Sequence, residues 1–473
     1  MKENQFRIFS YHAVCDDWYG RNGARVMLPY SLTDKKALLL HKNAGFNTLF
    51  ISYAFQYNAM DEEFKETRLI KVMDLAHEIG LKCVIWEKNL HRLTSRRHSL
   101  IDPEKANGET IFASEEELER FVGKCLEEPM KHPAFIGVST MDEPFGEMLL
   151  AYGQTVKAMR KIMPDIYINA NISLGYHDFL GAGQDLEMST LERYRKNLEV
   201  YDDTVKPPFI QFGIYPIKHR FEGKEQMNGR QYAPSYLTCC CLGGEYCAEH
   251  DRLLSVIMQA CEFTAPTAGW GCAKPKEADM YLQANVLMAV GTKTYSYWSY
   301  FPVVNTGAEY YDNSCTIVDT FGRPNELYYA VEKIHREMQE MAPTLLQFTY
   351  QAVDLFTNGT LPKYSEHLTA LTAALDEKDL KRIPVGSLTV NVNGNGAVMV
   401  TEMANKETGE KGYFVVNAVD PQYRFKADVT LGFNGVKTLK VLREGKTETL
   451  LSENEKFNFV LEEGRAVFVI PQK

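Results

Sequence analysis

The sequence contains no run of about 18 apolar residues, the length a helix needs to span a bilayer. Its opening, MKENQFRIFSYHAV, lacks the apolar stretch of a secretory signal, so export is not expected. Basic residues are scattered: the longest cluster is Arg96-Arg97-His98, and the net charge is −10. Nucleic acid or an anionic membrane would need grouped Lys and Arg, so neither is expected as a partner. No G-x-G-x-x-G follows the first apolar run, and no Gly-rich phosphate loop follows the later ones, which removes the usual dinucleotide and phosphate cradles. Cysteine is not scarce, at ten residues, but its spacing is irregular. Cys239, Cys240 and Cys241 are consecutive, with Cys247 just beyond, and no second pair of zinc ligands accompanies them. Ordinary thiols in a reducing cytoplasm are expected, with no metal and no cofactor.

What is present is a chain of 473 residues with 45% hydrophobic and 24% charged residues, enough for a large buried core and two or three domains. From residue 6 to about 300, short apolar or aromatic runs alternate with stretches of helical period. The runs are FRIFSY (6–11), FNTLFIS (46–52), KCVIWE (82–87), FIGVST (135–140), IYINANI (166–172), FIQFGIY (209–215), LLSVIMQA (253–260) and KTYSYWSY (293–300). Helix signals lie between them: Ser114 with Glu117 as a capping box, Gly45 and Gly80 as C-caps, and Asn325 as an N-cap. Eight strands joined by crossover helices predict an α/β (β/α)8 TIM barrel. Beyond residue 345 the pattern becomes short alternating strands with Asn, Gly, Lys and Glu turns, which predicts an antiparallel β-sandwich. The expected division is 1–345 for the barrel and 346–473 for the sandwich.

Active sites of such barrels lie at the C-terminal ends of the strands. In chain order those ends carry His12 and Asp17, Tyr53, then Glu87, Asn89 and His91, Asp142 with Glu143, Asn169 and Asn171, Tyr215, Gln259 and Glu262, and Trp298 with Tyr300. Carboxylates and amides bind hydroxyl groups while aromatic faces cover the C–H surface of a sugar ring, so a small carbohydrate is the expected substrate. Cleaving a glycosidic bond takes two carboxyl groups, one to protonate the leaving oxygen and one to act as nucleophile or as base toward water. Glu143 suits the proton-donor role because it follows strand four directly, Pro144 fixes the turn, and a second carboxylate, Asp142, stands beside it. The same acids also suit a plain helix start.

The segments IGVSTMDEP, IYP, VIMQACE, MAVGTKTYSYWSY and IVDTFGRPNELYYAVEKIHREMQEMAPTLL, over residues 6–345, together resemble the barrel glycoside hydrolases of clan A and their less characterised relatives, and the trailing β domain resembles the sandwich those enzymes often carry. The resemblance implies Glu143 as acid/base and Trp298 as sugar platform. It departs from the pattern twice: Asp142 stands where clan A has asparagine, and Gln259 occupies the expected inward position of strand seven, leaving Glu262 as the nearest carboxylate. Glu262 serves only if that strand ends before it, since three residues along a strand means opposite faces.

Three outcomes stay open at this point: a retaining enzyme with Glu262 as nucleophile, which is expected first; an inverting one with Glu87, Asp142 or Asp17 as base; or a barrel that binds sugar without cutting it. A metal-dependent sugar isomerase or hydrolase using His12, Glu87, His91 and Asp142 is a further alternative on the same fold. The expectation is a cytoplasmic, exo-acting glycoside hydrolase for small oligosaccharides or glycosides. Tyr53, Tyr215, Glu87, Asn89, Asn171, Gln259, Trp298, His12 and Asp17 are its expected substrate contacts. The β domain would wall the cleft or support a subunit interface, so a homo-oligomer stays open.

Overall fold

A computed structural model describes residues 5–10, 17–19, 25–27, 34–51, 67–102, 104, 111–172, 190–222, 225–265, 269–302, 310–311, 315–319, 321–362, 365–452 and 454–472. Eight parallel strands form its first layer: β1 Arg7–Ser10, β2 Thr48–Ile51, β3 Lys82–Ile85, β4 Phe135–Asp142, β5 Tyr167–Ile172, β6 Phe209–Gly213, β7 Leu253–Gln259 and β8 Thr294–Trp298. Each overlaps one of the apolar runs read from the sequence. The hydrogen-bonded order is β1-β8-β7-β6-β5-β4-β3-β2, the cyclic order of a barrel. Asn47 stitches the remaining seam between β1 and β2. Its backbone N–H donates to Ile8 O at 3.1 Å. Its side chain accepts from Ile8 N at 2.9 Å and donates to Phe6 O at 2.7 Å.

Period-two alternation separates inside from outside. Phe9, Phe50, Val84, Trp86, Tyr167 and Phe209 form one buried cluster within the barrel, while Ile8, Leu49, Ile51, Cys83 and Ile85 belong to the core shared with the surrounding helices. Close packing along β4 requires Gly137, where an added Cβ would sit 1.9 Å from the carbonyl oxygen of Tyr167. The helices follow their caps. Ser114 accepts from Glu117 N at 3.3 Å and starts the helix Glu115–Met130. Asn325 accepts from Leu327 N at 2.9 Å and starts Glu326–Leu345. Gly45 and Gly80 end helices with φ of 88° and 78°.

The loops after β6, β7 and β8 join in a five-stranded antiparallel sheet at the C-terminal mouth of the barrel. Its strands are Ile217–Glu222, Glu225–Tyr232, Phe263–Ala265, Trp270–Cys272 and Tyr310–Tyr311. This sheet is not among the elements expected from the sequence.

From Phe348 onward the strands form a six-stranded and a three-stranded antiparallel sheet, which pack as a β-sandwich behind the barrel. The six-stranded sheet is apolar on both faces. In its strand Ala466–Gln472, Val467 and Val469 face the sandwich core, while Phe468 and Ile470 join the barrel's helical core. This double burial accounts for the apolar run AVMV that opens the strand Ala397–Asn405. Among the described residues, no helix is long and apolar enough to cross a membrane.

Candidate active site

Strand β4 is irregular where it matters. Its pairing with β5 shifts between Ser139 and Met141, a bulge that changes which residues face the barrel axis. Asp142 then lies opposite Asn171, whose Nδ2 donates to Asp142 Oδ1 at 3.1 Å. Glu143 follows with φ of 48°, a left-handed conformation costly for a residue with a Cβ. It is pinned by a hydrogen bond from its N–H to Asn171 O at 2.8 Å. The bulge and the left-handed residue together turn two adjacent carboxylates out of a buried strand at the mouth of the barrel, and both are exposed.

A cavity of about 370 Å³ opens there, lined among others by Glu143, Asn171, Tyr194, Tyr215, Lys218 and Trp270. Asn171 Oδ1 is buried without a partner among the described residues, an acceptor available to a ligand hydroxyl. Tyr215 and Trp270 pack against one small cluster with Phe263, Cys261 and Cys272; Trp298 packs against the same cluster from the end of β8. Of the expected substrate contacts, Asn171 and Tyr215 line the cavity and Trp298 stands beside its aromatic wall.

Strand β7 ends at Gln259, so Glu262 falls beyond it and strand parity does not constrain its direction. Glu262 is held by two groups from other loops. Its Oε1 lies 2.9 Å from His219 Nε2, a close contact in which the ring N–H is not well aimed. Its Oε2 accepts from the Cys315 thiol at 3.3 Å. Burial pushes the neighbouring Cys261 thiol well up, so that cysteine is held neutral.

Gln259 takes a different role from the expected one. It is fully buried, and its amide is consumed by backbone: Oε1 accepts from Ile217 N at 2.9 Å, while Nε2 donates to Ile217 O at 3.2 Å and to Ala273 O at 2.7 Å. It clips the mouth sheet onto the barrel and has nothing left for substrate. Glu87 also departs from expectation. Trp86 points into the barrel, so Glu87 faces the helices, where its Oε2 caps Leu90 N at 2.6 Å and its Oε1 accepts from Asn89 Nδ2 at 3.2 Å. Both residues are therefore structural, which removes Glu87 as an inverting base and as a metal ligand. Tyr300, which follows Trp298 at the end of the last run, packs edge-on to Phe46 and His41 in the helical layer, because β8 ends at Trp298 and parity lapses.

His91 is half-buried against Trp86 and bonded from Nδ1 to Thr140 O at 3.0 Å; its partial burial lowers its pKa. His12 and Tyr53 lie outside the described residues, as do the side chains of Asp17 and Asn169. Among the described residues, no three His, Cys, Asp or Glu side chains converge as a metal site would require. The nine described cysteines are all buried and unbridged.

Four cavity and mouth residues, Lys218, His219, Tyr194 and Trp270, were not expected from the sequence. A signal existed for the first two: IKHRFEGKEQ carries a two-residue Gly-containing break between polar segments, a hairpin pattern.

Searches with protein-family models and with curated sequences find no match. Solved structures do match in fold. The cold-adapted β-galactosidase of Rahnella sp. R3 aligns over 100% of this chain and 99% of its own, with 9% identity and a TM-score of 0.51. The α-amylase of Geobacillus thermoleovorans aligns over 99% of both chains with 10% identity and a TM-score of 0.48. A family 39 glycoside hydrolase from Bacteroides cellulosilyticus WH2 covers 99% of this chain and 81% of its own, with 11% identity and a TM-score of 0.43. The likeness is one of fold.

Proposed function

We propose that the chain is a cytoplasmic glycoside hydrolase, exo-acting on small oligosaccharides or glycosides, with Glu143 as general acid/base and Glu262 as its partner. The observation that carries this reading is Glu143 itself, forced into a left-handed turn at the end of strand four and lining a cavity with aromatic rings and an amide oxygen that has no partner among the described residues. A structural acid at a helix start would need no such conformation. The volume of about 370 Å³ lies at the small end of ligand pockets, which supports a short substrate. The fold shared with the β-galactosidase of Rahnella sp. R3 supports the reading.

In the retaining course, the Glu262 carboxylate attacks the anomeric carbon as Glu143 gives its proton to the departing glycosidic oxygen, leaving a glycosyl ester on Glu262. Glu143, now a carboxylate, takes a proton from water; the water oxygen bonds to the anomeric carbon and the ester breaks. His219 and Cys315 orient the two oxygens of Glu262 for the first step. The test is a panel of aryl glycosides followed by NMR of the first-formed sugar. Release of aglycone with retained configuration, and a loss of roughly a thousandfold or more in Glu262→Gln, supports this course. Inverted product with an unimpaired Glu262→Gln refutes the role of Glu262, and sugar binding without release refutes hydrolysis.

A further inference from the structure

We propose that the substrate of this site carries an anionic group, the carboxylate of a sugar acid or the phosphate of a sugar phosphate, and that Lys218 selects it. The inference rests on the glycoside-hydrolase reading and adds the charge class of its substrate. Lys218 lines the same cavity as Glu143 and Asn171. Its Nζ donates to Cys272 Sγ at 3.4 Å and stands 5.7 Å from the centre of the Trp270 ring. Both neighbours are uncharged, burial keeping the Cys272 thiol above its ordinary pKa. An ammonium has three donors, and among the described residues no carboxylate forms an ion pair with this one. Five exposed lysines make the contrast. Lys157, Lys161, Lys381, Lys411 and Lys426 each hold a carboxylate within 2.8 Å.

The mount is as informative as the charge. Gln259 spends its buried amide on both the N–H and the C=O of Ile217, the residue before Lys218. Ala273 N donates to the same carbonyl at 2.9 Å, and Lys218 itself pairs with Cys272 and Gln231 across the sheet. The loops after β6 and β7 are thus tied together at the base of one cation, so its position is set before any ligand arrives. In a chain of net charge −10, an unneutralised ammonium in a concave wall is a local attractor for anions, stronger there than on open surface. A lysine binds as a point charge without the planar fork of arginine, so carboxylate and phosphate are both within its chemistry.

The test compares kcat/KM of the full chain, Lys218→Met and Lys218→Arg on matched aryl hexosides, hexuronides and 6-phosphohexosides of both anomers. The full chain is expected to favour one anionic series over its neutral counterpart by at least roughly tenfold, and added salt should shrink that margin. Lys218→Met should lose roughly tenfold or more on the anionic series and stay within about threefold on neutral glycosides, with Lys218→Arg keeping most of the preference. Whichever anionic series is favoured identifies the source of the charge. An enzyme that prefers neutral glycosides overturns the inference while leaving the hydrolase reading standing, and so does an equal loss on both series in Lys218→Met. If no glycoside is cleaved or bound, both readings fall together.

Discussion

Gln259 offers the sharpest test of how the mouth of the barrel is built. Replacing it with leucine keeps the bulk but removes the acceptor for Ile217 N and the donor to Ala273 O, whose hydrogen bonds measure 2.9 and 2.7 Å. Gln259 is buried, and water cannot readily replace the lost amide. Each unsatisfied backbone group costs about 1–3 kcal/mol, so the mouth sheet should lose about 2–6 kcal/mol of local stability. Native-state hydrogen exchange reads that quantity directly. Amides of Ile217–Glu222 and Trp270–Cys272 should exchange at least about 30-fold faster in Gln259→Leu, since each 1.4 kcal/mol of opening free energy is worth about tenfold. Amides of β4 and β5 should be little changed. Gln259→Glu sharpens the test: its carboxylate would face the carbonyl oxygens of Ile217 and Ala273, so its folded pKa should rise above the unfolded value. Below the unfolded carboxyl pKa, about 4.3, both states are protonated and the penalty is absent; as pH rises past that value the penalty grows. Exchange in the mouth sheet within threefold of the parent in Gln259→Leu would refute the clip.

Three further outcomes follow from the same structure. Lys293, just before β8, turns its ammonium inward to donate to Leu345 O at 2.8 Å and Phe348 O at 2.9 Å, and the desolvation of that group lowers its pKa to about 7. The unfolded chain keeps that proton to about pH 10, so the site should add stability as pH rises from 7, by about 3 kcal/mol at pH 9. Urea unfolding at pH 6 and 9 should show this rise in the parent and not in Lys293→Met. At position 143, with φ of 48°, glycine relieves a strain that alanine retains, so Glu143→Gly should be more stable than Glu143→Ala by about 0.5–1 kcal/mol in the same assay. Finally, Asn171→Asp should weaken substrate binding, raising KM several-fold, because it sets a second carboxylate beside Asp142, which now bonds to Asn171 at 3.1 Å.

The barrel was legible because parallel strands buried on both sides read as unbroken apolar runs, and all eight stood out between helix caps. Glu143 was legible for a related reason, being a carboxylate directly at such a run's end. Glu87 misled because the last inward residue of that run was Trp86, and only the register decides which of two neighbours faces the axis. Gln259 misled for a longer-range reason. The groups that consume its amide lie 42 and 14 residues away, in loops whose pairing into a sheet leaves little trace in local sequence. Lys218 and His219 were hidden by the same event, since a polar hairpin says nothing of what it will be folded against.

The most direct test of Glu143 as proton donor is the turnover of Glu143→Gln on a glycoside with a poor leaving group. The expected result is a folded protein that still binds the sugar and has lost at least about 10²-fold in kcat, with a smaller loss on an aryl glycoside whose leaving group needs no proton. A Glu143→Gln variant that cleaves the poor substrate within a few-fold of the parent rate would contradict it.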